Sequence, residues 1–200
     1  FEGMRAVHPG EAMNSAFSDN VLMASDFHTL LPRHRRPETT ADRRGFILVD
    51  SITTQGDRTE VKGIIRAFSD EETQDLVNEV TRAFNTVKGM NYKGKNFALT
   101  ITDQYKNMKA VLPEQMVSLA QLAMQSEDVT PVLTAARGGT DGSTLSFMGL
   151  PTPDIFAGQY NIHSPLEYAD VDVMEASLRT LLRLTSLWSM QQAQPAAAAE

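Results

Sequence analysis

The stretch Arg137–His163, RGGTDGSTLSFMGLPTPDIFAGQYNIH, carries the clearest signals of fold and site in this chain. Gly138 and Gly139 allow the backbone to turn tightly and to approach a ligand, because no Cβ stands in the way. Thr140 is typical of a helix start, which leaves free backbone amides pointing out of the turn. Arg137, next to these amides, offers a planar guanidinium suited to a carboxylate.

Residues 153–157 predict a short buried strand, which Gly158 ends, and His163 follows in the next loop. Ligands on open α/β sheets gather at the carboxyl ends of the strands, so the Arg137 turn and the His163 loop are predicted to meet there. From the residues alone, His163 is either a metal ligand, since neutral imidazole is the commonest one, or a histidine that bonds a backbone carbonyl.

Length and composition restrict the class of protein. The chain has 200 residues, 42% of them hydrophobic and 22% charged, which fits one or two ordinary globular domains. Its formal net charge of −7 argues against a nucleic-acid partner. The apolar runs are too short for a membrane-spanning helix, so no membrane partner is expected. The absence of cysteine from the sequence excludes disulfides and thiolate metal sites.

The first hundred residues predict the order strand, helix, strand, strand, helix, strand. The six segments are residues 1–7, 14–31, 45–54, 59–68, 69–88 and 96–102. This order is that of the ferredoxin-like βαββαβ fold, an antiparallel sheet with two helices on one face. Domains of this kind also bind RNA, but the acidic balance argues against RNA here.

The rest of the chain alternates helices and strands, which predicts a doubly wound α/β sheet. A helix over residues 113–126 and a strand over 131–136 precede the motif stretch, and a final helix runs from Asp170 to about Met190. Two strands are too few for a sheet with covered faces, so this segment is expected to complete a sheet begun upstream. The apolar side chains of the last helix are predicted to be buried: Val173, Met174, Leu178, Leu181, Leu182 and Leu184.

Several motifs in a fixed order resemble the aminotripeptidase branch of the di-zinc aminoacylase and carboxypeptidase family. They are Val-His-Pro-Gly at 7–10, Ile-Ile-Arg at 64–66, Asp-Gln-Tyr-Lys-Asn-Met at 103–108, Arg-Gly-Gly-Thr-Asp-Gly at 137–142, Leu-Ser-Phe-Met-Gly-Leu-Pro-Thr-Pro at 145–153 and Tyr-Asn-Ile-His at 160–163. The resemblance covers residues 1 to about 190.

The resemblance implies a domain organisation. Residues 1–105 are expected to form a ferredoxin-like lid and dimerisation domain, and residues 106–190 the C-terminal segment of a doubly wound zinc-peptidase catalytic domain. Residues 191–200 are a low-complexity tail. Because the family's catalytic half precedes the lid, the chain is expected to be the back part of a longer, cytoplasmic protein.

The resemblance also implies roles for single residues. His163 matches a ligand of one of two zinc ions, and His8 matches a lid histidine that stabilises the oxyanion across a homodimer. Arg66 matches the residue that grips the terminal carboxylate of the peptide. Arg137, with Gly138 and Gly139 next to it, is expected to bind substrate.

The activity implied is removal of the N-terminal residue from small peptides, with tripeptides as substrates and zinc-activated water as the nucleophile. The other zinc ligands and the general base would lie upstream, so the 200-residue chain alone is expected to be inactive. Two alternatives stay open: another amidohydrolase of the family, such as an aminoacylase or carboxypeptidase, or a non-catalytic dimerisation module.

Overall fold

The structure, a computed structural model, describes residues 1–4, 10, 13, 18–92 and 95–193. This part of the chain is mixed α/β, as the sequence predicts. It divides into two compact units. The first consists of residues 1–103 and 135–138, and the second of residues 104–134 together with the chain from 139 onward.

The sheet of the first unit is built on a long hairpin. Strands β1 (Phe46–Gln55) and β2 (Arg58–Arg66) pair antiparallel, with a register shift between Val49 and Ser51. Gly56, in the left-handed region at φ 55°, forms part of the turn between them.

Two short chain segments extend this sheet. Glu2 bridges antiparallel to both Arg58 and Asn96, and its backbone N–H donates to the Asn96 carbonyl over 2.9 Å. The order across the sheet is therefore Asn96, Glu2, β2, β1. This is the strand order of a ferredoxin-like sheet, although the two outer segments pair through single bridges.

Helices α1 (Asn20–Leu30) and α2 (Asp70–Gly89) cover one face of the sheet. The hydroxyl of Ser69 caps α2 by accepting from the Glu72 backbone N–H at 3.1 Å, and an acidic first turn suits the helix dipole. Beside them the Tyr92 hydroxyl donates a short hydrogen bond to the Asp26 carboxylate. The core is one cluster of buried side chains: Met23, Phe27, Leu31, Ile47, Leu76, Val80, Ala83, Phe84 and Val87.

The second unit consists mainly of three helices, α3 (Glu114–Ser126), α4 (Asp141–Phe147) and α5 (Val171–Ala193). Helices α3 and α5 pack against each other. Two-residue strands β3 (Gln159–Tyr160) and β4 (Tyr168–Ala169) form a small hairpin before α5. The Asp170 carboxylate caps α5 by accepting from the backbone N–H groups of Asp172 and Val173.

The Gly-Thr-Asp-Gly motif folds against the Pro-Thr-Pro motif through α4. Thr140 caps the helix, and a Cβ on Gly142 would lie 2.5 Å from the Thr152 carbonyl oxygen, so this close approach needs glycine. The Thr152 backbone N–H donates to the Ser146 hydroxyl at 2.9 Å. Gly149, at φ 96°, ends the helix in the left-handed conformation common at helix C-termini.

Three predicted strands were wrong. Residues 131–136 and 153–157 belong to no strand, and of residues 96–102 only Asn96 pairs, with Glu2. A strand exists only with a hydrogen-bonding neighbour, and within the described residues these segments have none apart from the single bridge at Asn96. Val132 and Leu133 accordingly remain exposed. The predicted helix over 14–31 begins at Asn20 in the structure, and residues 14–17 lie outside the described part.

The burial predicted for α5 was also wrong for four side chains. Met174, Leu178, Leu181 and Leu182 are exposed, and we call these four residues the apolar stripe. Ser177 and Thr180 are buried, and Val173 and Leu184 are half-buried, so α5 turns the side with these four residues inward. The Ser177 hydroxyl donates to the Phe156 carbonyl at 2.7 Å on that face.

No helix in the described ranges is both long and apolar enough to cross a membrane.

Candidate functional site

Two of the predicted substrate-binding residues lie near Phe46, at one end of the β1–β2 hairpin in the first unit. Arg66 ends β2 and pairs with Phe46, the first residue of β1. Residues directly opposite in an antiparallel pair project from the same face. The Arg137 guanidinium carbon lies 4.8 Å from the centroid of the Phe46 ring, a cation–π distance. Arg137 thus contacts the Phe46 ring, and Arg66 is the cross-strand neighbour of Phe46.

Arg137 is held by the loop that precedes β1. Its Nη1 donates to the Thr40 carbonyl at 2.8 Å, and its Nη2 donates to the Thr40 hydroxyl at 2.6 Å and to the Arg44 carbonyl at 3.2 Å. Thr40 is itself buried and donates its hydroxyl proton to the Arg36 carbonyl at 2.8 Å. The guanidinium therefore joins the residue 137 turn to residues 40–44.

These contacts leave little of the guanidinium free. Arginine carries five N–H donors, and three hydrogen bonds are made in the described structure. The buried Nε of Arg137 has no hydrogen-bond partner among the described residues. A bidentate carboxylate needs two parallel N–H groups on one edge, so it would have to share or replace the bonds to Thr40 or Arg44. The substrate role of Arg137 stays a prediction.

The two glycines after Arg137 differ in what surrounds them. A Cβ on Gly139 would lie 2.2 Å from Cδ2 of Tyr105, so a larger residue would displace that ring. A Cβ on Gly138 would meet no described atom within 4 Å. Packing therefore explains glycine at 139, whereas at 138 the predicted approach of a ligand stays a prediction.

His163 lies in the loop of the β3–β4 hairpin, in the second unit, and is exposed. Its backbone is left-handed, at φ 65°, which is uncommon for a residue other than glycine. Its backbone N–H donates to the Glu167 carboxylate at 2.9 Å. At the base of the hairpin the stacked rings of Tyr160 and Tyr168 lie 5.0 Å apart. The histidine thus lies in an exposed loop whose backbone is held by Glu167, and its role as a metal ligand stays a prediction.

The described residues do not form a complete zinc site. Within them, no group of three or more histidine, aspartate or glutamate side chains could hold a metal ion. Structural zinc is almost always four-coordinate, and catalytic zinc takes three protein ligands, so His163 alone does not fit either kind of site. His8, the predicted oxyanion donor, lies outside the described residues. Arg137 belongs to the first unit and His163 to the second, so the predicted approach of their two loops stays a prediction.

Sequence reasoning missed the residues that hold the predicted ones. Phe46 and Thr40 fix Arg137, and Glu167 fixes the backbone of His163. Phe46 was visible only as the start of an apolar strand, and Thr40 only as part of a polar loop. Glu167 stands four residues after His163, and the sequence contains no motif that links the two. A contact between a side chain and a backbone N–H is not marked by a characteristic spacing of residues in the sequence.

The comparisons with known proteins give a consistent result. The chain is 37% identical over 190 residues to a protein named peptidase T from Clostridium botulinum (strain Loch Maree / Type A3), an alignment that covers 92% of this chain and 45% of the relative. It is 38% identical over 183 residues to peptidase T from Streptococcus equi subsp. equi, which covers 89% and 44%. The chain therefore spans a little under half the length of these relatives. No family model matches the chain.

Two solved structures share the fold. An aminopeptidase PepT from Bacillus cereus superposes with a TM-score of 0.54 at 18% identity, over 89% of this chain and 47% of that one. A tripeptidase from Staphylococcus aureus superposes with a TM-score of 0.58 at 15% identity, with the same coverage.

Proposed function

Since the chain belongs to the peptidase T family, and spans about 45% of its curated relatives, we propose that it forms part of a zinc-dependent aminopeptidase that removes the N-terminal residue of tripeptides. The observation that carries the proposal is the 37% identity to peptidase T over 92% of this chain. The proposed enzyme is complete only together with a segment equivalent to the unmatched part of those relatives.

In this proposal the chain supplies the lid and one part of the catalytic centre. His163 is a ligand to one of two zinc ions, which supply an activated water, and the other ligands come from outside the described residues. Arg66 binds the carboxylate of the peptide, and the placement of Arg137 on the ring of Phe46, the cross-strand neighbour of Arg66, supports a cationic subsite there. His8 donates to the oxygen on which negative charge develops.

We further propose a homodimer formed through the lid, in the cytoplasm. Within the described residues β1 pairs on one side only, with β2, so its other edge is open. An open strand edge is a ready surface for pairing with another chain. In the dimer, His8 would serve the site of the partner subunit.

A second candidate is a non-catalytic dimerisation module. It is favoured by one observation, namely that the described residues hold no metal-binding group of side chains. A third, another amidohydrolase of the same family, differs only in substrate.

A chimera separates these candidates. The matched portion of the Clostridium botulinum peptidase T is replaced by this chain, and the purified, metal-loaded protein is given tripeptides, dipeptides, N-acyl amino acids and longer peptides. We expect hydrolysis of the tripeptides, with loss of activity in the His163→Ala variant. A folded, zinc-loaded chimera that hydrolyses none of these substrates would support the module instead.

A mixed dimer of the chimera tests the role of His8. The His163→Ala and His8→Ala homodimers should both be inactive. His163→Ala disables the zinc site of its own subunit, whereas His8→Ala disables the site of the partner subunit. A heterodimer purified through two different tags should regain one working site, and therefore up to about half the wild-type rate. If a folded, zinc-loaded heterodimer stays inactive, His8 does not act across the dimer.

A further inference from the structure

One peptide group links a glutamate of α2 to Arg137. The peptide bond between Arg44 and Gly45 is trans, so its N–H and its carbonyl point to opposite sides. The N–H, which belongs to Gly45, donates to the Glu72 carboxylate at 2.8 Å. The carbonyl, which belongs to Arg44, accepts from Nη2 of Arg137 at 3.2 Å. A carboxylate, a peptide group and a guanidinium therefore form one chain of hydrogen bonds.

The bonds in such a chain strengthen one another. A charged acceptor on the N–H polarises the peptide group, which makes the Arg44 carbonyl a better acceptor for the guanidinium. The side chains of Glu72 and of its ion-pair partner Arg35 are only 22% and 23% exposed, so solvent screens the Glu72 charge weakly. The described hydrogen bonds of Arg137 go to two carbonyls and one hydroxyl, so Glu72 reaches it through the peptide group.

The packing around Gly45 keeps Glu72 against this peptide group. A Cβ on Gly45 would lie 2.9 Å from the carboxyl carbon of Glu72 and 2.7 Å from the Arg66 carbonyl oxygen, so this close approach needs glycine. The next residue, Phe46, pairs with Arg66 and contacts the Arg137 guanidinium. The peptide group that Glu72 holds therefore borders both arginines that are predicted to bind substrate.

We propose that Glu72 is a positioning residue for the cationic subsite: it fixes the peptide group that orients the guanidinium of Arg137 toward the carboxylate of the substrate. This role rests on the proposed function, since the substrate is taken to be a small peptide with a free carboxylate. Nη1 of Arg137 keeps one N–H that makes no bond within the described residues, and a fixed guanidinium plane aims this donor. Because Glu72 itself touches no substrate in this role, its loss should weaken binding rather than the chemical step.

Kinetics of the chimera with peptidase T test this role. Glu72→Ala should raise KM for a tripeptide about tenfold and leave kcat within about twofold, because ground-state and transition-state binding are lost alike. The same tripeptide with a C-terminal amide offers no carboxylate, so its inhibition constant should change by less than about twofold. Glu72→Gln keeps a side-chain oxygen that accepts from the Gly45 N–H, so its KM should stay within about threefold of the parent chimera.

Glu79→Ala is the matched control. Glu79 lies on the same helix, is equally exposed and pairs with the same Arg35, at 3.9 Å, whereas the Gly45 N–H donates to Glu72. The KM of this variant should stay within about twofold of the parent. An unchanged KM in Glu72→Ala, an equal loss of affinity for the acid and the amide, or an equal rise in Glu79→Ala would each overturn the proposal. If Glu72→Ala does not fold, Glu72→Asp replaces it, since the shorter side chain keeps the charge and withdraws from Gly45.

A double-mutant cycle in the 200-residue chain separates this role from the proposed function. Glu72→Ala and Arg137→Ala should each lower the melting temperature, and the double variant should fall short of their sum by about 2 °C or more, since both break the same chain of bonds. Glu79→Ala and Arg137→Ala should be additive. Additive effects of Glu72→Ala and Arg137→Ala would overturn the proposal even with an active chimera. A coupled cycle together with a folded chimera that hydrolyses no peptide would refute the proposed function and leave the link between Glu72 and Arg137 standing.

Discussion

Helices α2 and α5 have similar apolar patterns and different surroundings. In α2 the apolar residues Leu76, Val80, Phe84 and Val87 are all buried in the core of the first unit. In α5 the apolar stripe is exposed, and the buried apolar side chains of the described second unit are those of α3, namely Leu119, Ala120 and Ala123. An amphipathic pattern therefore shows which face of a helix is suited to burial, whereas burial itself depends on whether a partner element is present.

The largest expected effect is on the first unit. Leu76 is fully buried in α2, so Leu76→Ala should lower the free energy of unfolding by about 2–5 kcal/mol, through lost apolar contact and the cavity left behind. Denaturant titration followed by circular dichroism measures this. Leu178→Ala in α5 is the matched comparison and should cost less than about 1 kcal/mol in the same chain. Equal losses of unfolding free energy at the two positions would show that the apolar side chains of α2 and α5 do not differ in burial.

A second effect of intermediate size concerns the contact between Arg137 and Thr40. Arg137→Ala removes three hydrogen bonds and the contact with the Phe46 ring, so it should cost about 1–3 kcal/mol of unfolding free energy. Thr40→Val keeps the shape of the side chain and removes the two bonds of its hydroxyl, one from Arg137 and one to the Arg36 carbonyl. In a double-mutant cycle, the two changes should cost less together than the sum of the single changes.

The conservative variant Arg137→Lys is the control for this contact. A lysine keeps the charge but cannot reproduce the planar set of donors, so it should recover only a small part of the lost stability. Strictly additive costs for Arg137→Ala and Thr40→Val would show that the two side chains do not act together.

Local structure was predicted well from the sequence where it depends only on neighbouring residues. The helices that start near Ser69 and Asp170, the two consecutive strands β1 and β2 and the helix after Thr140 all follow from adjacent residues, and the structure contains each of them. The mixed α/β class followed from the order of these elements.

The predictions failed where the local structure depends on a partner that is distant in the sequence. Residues 131–136 and 153–157 have strand-like sequences, but a strand needs a neighbour that the described chain does not provide. At the candidate site, the bonds of Arg137 to Thr40 and Arg44 span more than ninety residues of sequence, and no local pattern indicates them. His163 could be placed in a loop, but its left-handed backbone could not be predicted from its neighbours.

A smaller effect is expected at high pH in the first unit. Burial, and then the hydrogen bond to Asp26, raises the pKa of Tyr92 to about 12, from an ordinary value of 10.0. The folded chain thus holds this proton more firmly than the unfolded chain. The stabilisation is complete below pH 10 and is lost as the pH rises from about 10 to about 12.

Tyr92→Phe tests this directly, because phenylalanine keeps the ring and has no proton to lose. The difference in unfolding free energy between wild type and variant should be constant below pH 10 and shrink between pH 10 and 12. The difference should be modest, since the side chain is only partly buried. A difference that does not change with pH over this range would show that the hydroxyl does not titrate differently in the folded chain.

The smallest expected effect is that of Tyr168→Ala in the β3–β4 hairpin. The Tyr160 and Tyr168 rings are stacked but about half exposed, so removing one should cost the whole chain less than about 1 kcal/mol. The local effect should be clearer, because the stack closes the hairpin that carries His163 next to the α5 cap. Backbone amide exchange in residues 161–167 should therefore quicken, while the amides of α2 keep their rates. Tyr168→Phe retains the ring and should behave like wild type. Unchanged exchange in the hairpin after Tyr168→Ala would mean that the bond from the His163 backbone to Glu167 is sufficient to hold this loop.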